Sequence, residues 1–485
     1  MKRGSITPFC ALSLMLVASF LLVLLESARV YTLDRFATLK AESGIDSVCA
    51  EFQPLLWQQY GLLFLDGAYG TEYFSMDYVS ETLTEQIDKS NKTKLGLNLL
   101  SLEVSEVTLM GYALATDNRG EVFLNYVAER EKENLPIGIA EDIYEQYQKG
   151  KYIEQEYRDT ETEIAQAQQT LEELTTANQQ EKTEGENVNI LGEVFSGITQ
   201  MKSAGTLNLI FGKTDHISAK SAGSYKNIEK REKSAGNMPF AQQKDWYRKL
   251  LVLNYMEQYF SDYCSQKEEH CLCYEMEYVL CGKNTDAKNL SGTLDRVLLL
   301  REACNIASLL LDEGKMSQAK ELASVIGILA GENPAAVEVI QAGIIVAWAY
   351  MESVLDVRTL VAGEKIAFIK SKEEWTADVR NIPAAIMGTL KAKNCENGMN
   401  YTDYIKQLLF FADDRTLAYR MMEAMEFTMH ENQDYVNCFM NQMIVALQYR
   451  IDFCTEPLFY SLAVIGDSYE GKFYFRKTVN RSYIP

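Results

Sequence analysis

An α+β chain, mostly helical, with one N-terminal transmembrane helix followed by a large exported domain is what three features of the sequence predict. The first is an uncharged apolar run, Ser5 to Leu25, behind the basic head Lys2-Arg3-Gly4. The second is near-alternation of apolar residues from Leu97 to Leu114, the period of a strand. The third is a C-terminal portion whose apolar residues recur three and four apart, the period of a helix. With 485 residues the chain is long enough for one large domain or several ordinary ones, each with a sizeable core.

A hydrocarbon core about 30 Å thick takes about 20 helical residues at a rise of 1.5 Å, the length Ser5 to Leu25 supplies. Pro8 is tolerable there because first-turn amides have no intrahelical acceptor to lose. Lys2 and Arg3 precede the run, so the basic excess predicts a cytoplasmic N-terminus and an extracellular body on a single-pass cell-membrane protein. A cleaved secretory signal would need an apolar core of roughly 7–15 residues and a small-x-small site. Here the core is longer and runs into Glu26-Ser27-Ala28-Arg29, which fits a retained anchor better. A pilin-like leader is the third reading: a prepilin-type peptidase would cut between Gly4 and Ser5, leaving a helix apolar in its first half and amphipathic in its second. Phe9 then occupies the fifth place after the cut, where pilins usually carry a glutamate.

The formal net charge of -21 argues against nucleic acid, whose phosphates need clustered Lys and Arg, and against lying flat on anionic lipid. Ten cysteines are present. Cys10 falls in the apolar run, and the nine beyond it are an odd number, so full pairing would leave one thiol over.

Past the span the helix is expected to continue, because Val30, Leu33, Phe36, Ile45, Val48 and Phe52 form an apolar stripe up to Pro54, with Gly44 weakening its middle. Pro54 to Asp66 reads as a short helix, a break at Gly61 and a buried strand. After the alternating stretch, Thr116 or Asp117 can cap a helix running to about Glu131. Ile153, Tyr157, Thr160, Ile164, Ala167, Leu171 and Leu174 mark a weak heptad seam, the arm of a helical hairpin before an oligomerising coiled coil. From Gln179 to about Gln243, Gly, Ser, Lys and Asn dominate, which predicts a long exposed excursion. Helices then follow from Trp246, with Ala342 to Met351 too short to span and therefore a buried central helix, and a terminal strand from Lys472 to Tyr483. The segments become a cytoplasmic basic head (1–8), a transmembrane helix (9–29), a mixed α/β membrane-proximal region (30–150), a heptad-like helix with an exposed flexible excursion (151–243) and a helical C-terminal domain (244–485).

No catalytic, cofactor or metal site emerges. A nucleophilic triad needs a base, and the chain has three histidines, His216, His270 and His430; neither His216 nor His430 has a Gly-framed Ser near it. Cys264, Cys271, Cys273 and Cys281 cluster around His270, but their spacings of six, one and seven residues are not those of usual zinc modules. Outside the membrane, disulfides among these four are the simpler fate. Glu268-Glu269, Glu275, Glu277 and Asp413-Asp414 are expected on solvated faces, since adjacent carboxylates arise by chance in so acidic a chain.

Several blocks carry a resemblance: Gly4-Ser5-Ile6-Thr7, Leu25 to Val30, the Trp57-Gln58-Gln59-Tyr60-Gly61-Leu62-Leu63-Phe64-Leu65-Asp66 run, Tyr274 to Lys283, Leu298 to Ala303, Ala347 to Val357, and Asp403-Tyr404 with Tyr419-Arg420-Met421-Met422. They look like an uncharacterised domain-of-unknown-function family of Gram-positive, clostridial single-span membrane proteins with a TadE- or pilin-like N-terminus. The resemblance implies association with tight-adherence (Flp) pilus or secretion loci. A non-enzymatic structural or assembly component is therefore expected, with the membrane and other pilus-assembly proteins as partners; a membrane-anchored cell-wall hydrolase or glycan- or peptide-binding module is the alternative.

Overall fold

The computed structural model describes residues 6–89, 99–157, 160–177, 195–199, 201–203, 205–222, 227–239, 245–329, 334–378, 390–459 and 471–483. Helix α1, Ile6–Cys49, runs unbroken for 44 residues, about 66 Å at the α-helical rise. Its first twenty residues are largely exposed and apolar, whereas Leu33, Ala37, Ala41, Ile45 and Val48 are buried. Gly44 is explained by close approach: a Cβ there would stand 2.6 Å from Ile87 Cγ1. Helix α2, Pro54–Tyr60, begins at Gln53, whose side chain accepts from Leu55 N, and stops at left-handed Gly61 before strand β1, Leu65–Asp66. Helix α3, Met76–Lys89, precedes strand β2, Glu103–Leu114.

Helix α4, Asp117–Glu131, starts where expected but with Asn118, Arg119 and Gly120 at positive φ. Asp117 does not cap it; its carboxylate instead accepts from Leu114 N (2.7 Å) and Gly236 N (3.0 Å). Helices α5, Ile137–Glu156, and α6, Thr160–Ala177, divide the heptad seam between two helices. Short α7, Thr206–Phe211, is followed by α8, Trp246–Tyr259, capped by Asp245, then α9, Glu275–Cys281, and α10, Asp286–Leu311. Helices α11, Glu313–Leu329, and α12, Pro334–Val361, lead to α13, Tyr401–Phe410, which opens on an Asn400/Asp403 capping box. Helix α14, Asp414–His430, precedes strands β3, Met443–Thr455, and β4, Phe473–Ser482.

These elements form two units interleaved in sequence. One comprises 1–130, 226–242 and 429–485; the other comprises 131–225 and 243–428. The segment read as one helical region, 244–485, thus contributes its last 57 residues, 429–485, to the unit that contains α1.

The first unit is an antiparallel sheet with α1 and α3 against it. Strand β3 is central: β2 pairs along one edge, while β1 and β4 pair along the other. Leu447, Tyr449, Ile451 and Phe453 of β3 join Leu33, Ala37, Ala41 and Ile45 of α1 in one core. Residues 227–239, expected in an exposed excursion, are partly used here. Ile228 is buried, and Asn237 exchanges hydrogen bonds with the Tyr112 backbone through its N (3.0 Å) and Oδ1 (3.0 Å), covering part of the open edge of β2.

The second unit is helical around α12. By length and composition α12 could cross a membrane, but Ile344 to Leu360 is buried in the protein core. Helix α6 packs along it with Ala167 and Leu171 buried, so the described part of the seam is an intramolecular contact rather than a coiled coil. The expected excursion also holds two apolar islands, Ile190 to Phe195 and Leu207 to Phe211; the first lies outside the described residues except for Phe195, which is buried. The second, α7, is held by Arg358, whose Nη2 donates to Leu209 O (2.8 Å).

A Cβ at Gly343 of α12 would overlap Ala167 Cβ, leaving no flexible atom to give way. Gly343→Ala is therefore expected to lower the urea midpoint, with a cost of about 1–3 kcal/mol outweighing its gain in helix propensity. Adding Ala167→Gly should restore most of the loss. A destabilised single variant that the second substitution does not rescue would contradict this contact.

Candidate functional site

The strongest polar construction on α1 lies one turn beyond its apolar run. Glu26 and Arg29, three residues apart, share a helix face and meet at 2.7 Å with both side chains buried. Arg29 spends its remaining donors on the body of the same unit: Nε on Leu99 O (2.7 Å), Nη1 on Glu456 O (3.1 Å) and Nη2 on Thr455 Oγ1 (3.0 Å). Glu26 Oε2 accepts from Leu458 N (3.2 Å) and Phe459 N (2.6 Å). The pair thus ties the end of the apolar helix to the end of central strand β3. In the sequence Glu26-Ser27-Ala28-Arg29 marks the end of the apolar run and part of a resemblance block, and this clamp is not among the expectations; opposite charges at i and i+3 beside an apolar run are the signal that marks it.

In the other unit, the carboxylates expected on solvated faces include several of the most buried groups. Glu275 and Glu277 are fully buried, whereas Glu268 and Glu269 are exposed. Both buried groups organise the irregular loop between α8 and α9, whose amides have no helix or sheet to satisfy them. Glu275 Oε2 accepts from Ser261 N (2.9 Å) and stands 2.6 Å from His270 Nδ1. Glu277 Oε1 accepts from Tyr263 N (2.9 Å) and Tyr401 Oη (3.0 Å). Asp262 Oδ1 accepts from Cys264 N and Ser265 N, each at 2.7 Å, and its Oδ2 accepts from Thr402 Oγ1 at 2.7 Å. Asp413 and Asp414 divide: Asp413 accepts from Thr416 N, and Asp414 pairs with Arg248 and Lys249.

A second buried set crosses the centre of the same unit. Arg301 Nε donates to Asp356 Oδ2 (2.9 Å), and its other nitrogens reach Phe368 O, Tyr404 Oη and Asn305 Oδ1 at 2.9–3.0 Å. Lys370 pairs with both Glu352 and Asp356. Burial alone would raise the Asp356 carboxyl, but Lys370 and Arg301 together hold it below its ordinary value. In this set two cations, Arg301 and Lys370, face two carboxylates, Glu352 and Asp356.

The sequence candidates are dispersed. Gly4 and Ser5 lie outside the described residues. Cys264, Cys271, Cys273 and Cys281 fall in one unit, but all are free thiols. Cys264 Sγ lies 3.5 Å from Leu360 O, Cys281 Sγ lies 3.4 Å from Thr293 Oγ1, and the amides of Cys271 and Cys273 donate to Thr428 Oγ1 and Asp286 Oδ2. Cys264 is exposed at the surface, but desolvation by the surrounding protein, with Asp262 and Glu277 nearby, raises its thiol above the ordinary value of 9.0. Among the described residues, no group of three or more His, Cys, Asp or Glu is placed to hold a metal. His216 stacks edge-on with Phe211, and His430 Nε2 lies 2.8 Å from Cys438 O.

Burial, then the Asp262 charge, raises Glu277 well above the ordinary value of 4.5. Between 4.5 and its folded value the native state binds more protons than the unfolded chain, so stability from this group is complete below 4.5 and is lost as pH rises through the folded value. Glu277→Gln keeps the neutral shape, and its carbonyl can still accept from Tyr263 and Tyr401. Its urea midpoint is expected to gain on that of the wild type as pH rises from about 5 to about 9; parallel curves would contradict a protonated Glu277.

Residues 179–455 match the model of a family of unknown function (DUF5702). That span contains the buried carboxylates, the Arg301 network and strand β3, and ends where Arg29 meets Thr455. No curated protein and no solved structure matches the chain. By a match over more than half its length, the chain belongs to the DUF5702 family.

Proposed function

We propose that the protein is a non-enzymatic, membrane-anchored extracytoplasmic component of a tight-adherence pilus-like or secretion apparatus, with its N-terminus in the cytoplasm. The observation that carries this reading is the continuity of α1: one helix is exposed and apolar for a bilayer's thickness, then becomes part of the core of a folded unit. This is the two-part helix that a pilin-like N-terminus requires. The Glu26–Arg29 clamp adds to it, because force or position imposed on the apolar half passes to the sheet without a flexible linker. The net charge of -21 keeps such a body soluble beside the membrane.

The partner surface in this proposal is the apolar half of α1 rather than the heptad seam, whose Ala167 and Leu171 are already buried within the second unit. The buried carboxylates near Asp262 accept loop amides and hydroxyls, which suits a structural role better than hydrolysis.

Cross-linking in intact cells, followed by purification from the membrane fraction, tests the proposal. The full chain is expected to recover components of one pilus or secretion assembly, and Arg29→Ala, which unties the helix from the body, should reduce that recovery severalfold. A chain that purifies without such components and cleaves cell-wall glycan or peptide would overturn it in favour of the hydrolase.

A further inference from the structure

The clamp places a specific part of the body next to the end of the apolar run. Arg29 lies four residues past Leu25, about 6 Å along the helix, and the headgroup layer on each side of a bilayer is about 5–8 Å deep. Everything Arg29 and Glu26 hold therefore stands at headgroup level when Ile6 to Leu25 spans: Leu99, Thr455, Glu456, Leu458 and Phe459. The same end of the sheet carries the start of β4, since Phe473 pairs with Thr455 and Tyr474 with Cys454.

The surface here mixes the exposed carboxylates of Glu103 and Glu456 with large exposed apolar side chains. Tyr474 is 68% exposed and Leu99 45% exposed, although both are large and apolar in body. Leu458, Phe459 and Phe473 are half-buried beside them, and Lys472 reaches Glu103 at 3.8 Å while remaining partly exposed. Exposed aromatic and aliphatic side chains with a long cation at the edge of a span match what the bilayer interface favours: rings at the headgroup level, and a Lys stem lying on apolar surface with its ammonium in water.

The geometry points to a second membrane contact: the rim formed by Leu99, Leu458, Phe459, Phe473 and Tyr474 seats in the phospholipid interface around the emerging helix. This deepens the anchoring reading and rests on it. The occupant is lipid rather than a protein partner because the rim is continuous with the span and is fixed to it by the Glu26–Arg29 clamp. The body is then held at two places, and its orientation on the bilayer is set.

Single tryptophans introduced into the full chain, reconstituted in phosphatidylcholine vesicles with and without bromine on shallow acyl carbons, test this against the native tryptophan background. Leu16→Trp probes the span, Tyr474→Trp the rim, and Asn480→Trp an exposed position about 20 Å further along β4. The added emission of Leu16→Trp and Tyr474→Trp should each fall about twofold in brominated lipid, with Asn480→Trp unchanged. If Leu16→Trp is quenched while Tyr474→Trp behaves like Asn480→Trp, the rim does not touch lipid and this inference fails while the span stands. If Leu16→Trp is not quenched, the anchoring reading fails, and the rim inference falls with it.

Discussion

Two side chains, Glu26 and Arg29, stand where an apolar helix becomes part of a folded body. Each is buried, and each uses its charge on backbone groups of the segments that follow Leu99 and Thr455. Removing one partner from such a pair leaves an uncompensated buried charge, a cost of about 3–5 kcal/mol. That cost, together with the burial of Leu33, Ala37, Ala41, Ile45 and Val48 in the same core, makes α1 part of the sheet unit instead of a tail attached to it. The antiparallel sheet supplies the other half of the constraint: α1 packs along β4, and Phe475 and Val479 of that strand share one core with Ala37 and Ala41 of α1 and with Leu447, Tyr449, Ile451 and Phe453 of β3.

The second unit meets a different problem. Its long α12 is apolar enough to span a membrane, yet it carries Glu352 and Asp356 in its buried half. Lys370 and Arg301 neutralise them, and Asn305 and Ser353 complete the hydrogen bonding between α10 and α12. The loop from Phe260 to Tyr274 is held similarly by Asp262, Glu275 and Glu277. Buried carboxylates here replace secondary structure as acceptors for a loop's amides.

What was legible in the sequence followed from local periodicity. The length of the apolar run, the α2 helix with its stop at Gly61, the strand ending at Leu114 and the terminal strand are all patterns within a few residues. Strand β3 carries the same signal, since Leu447-Gln448-Tyr449-Arg450-Ile451-Asp452-Phe453 alternates strictly, although it lies inside a segment expected to be helical. The buried state of Glu277 was not legible, because its partners Tyr263 and Tyr401 lie 14 and 124 residues away. Nor was the packing of the Gly- and Ser-rich stretch, whose composition reads as loose while Tyr274, at the end of a loop, and Asp286 and Arg358, on distant helices, bind it. The heptad seam was legible as an intramolecular helical arm, but not its partner: spacing alone does not say that the facing helix is α12, whose sequence lies far down the chain.

The central claim is that the apolar half of α1 stays attached to the body it is clamped to. Intact mass and N-terminal sequencing of the protein recovered from its native membrane fraction test that most directly. The account predicts a chain that retains Ile6 to Leu25, beginning at Met1 for an unprocessed anchor or at Ser5 after leader cleavage. A mature chain beginning at or beyond Glu26 would contradict it, because the helix would then end where the clamp begins.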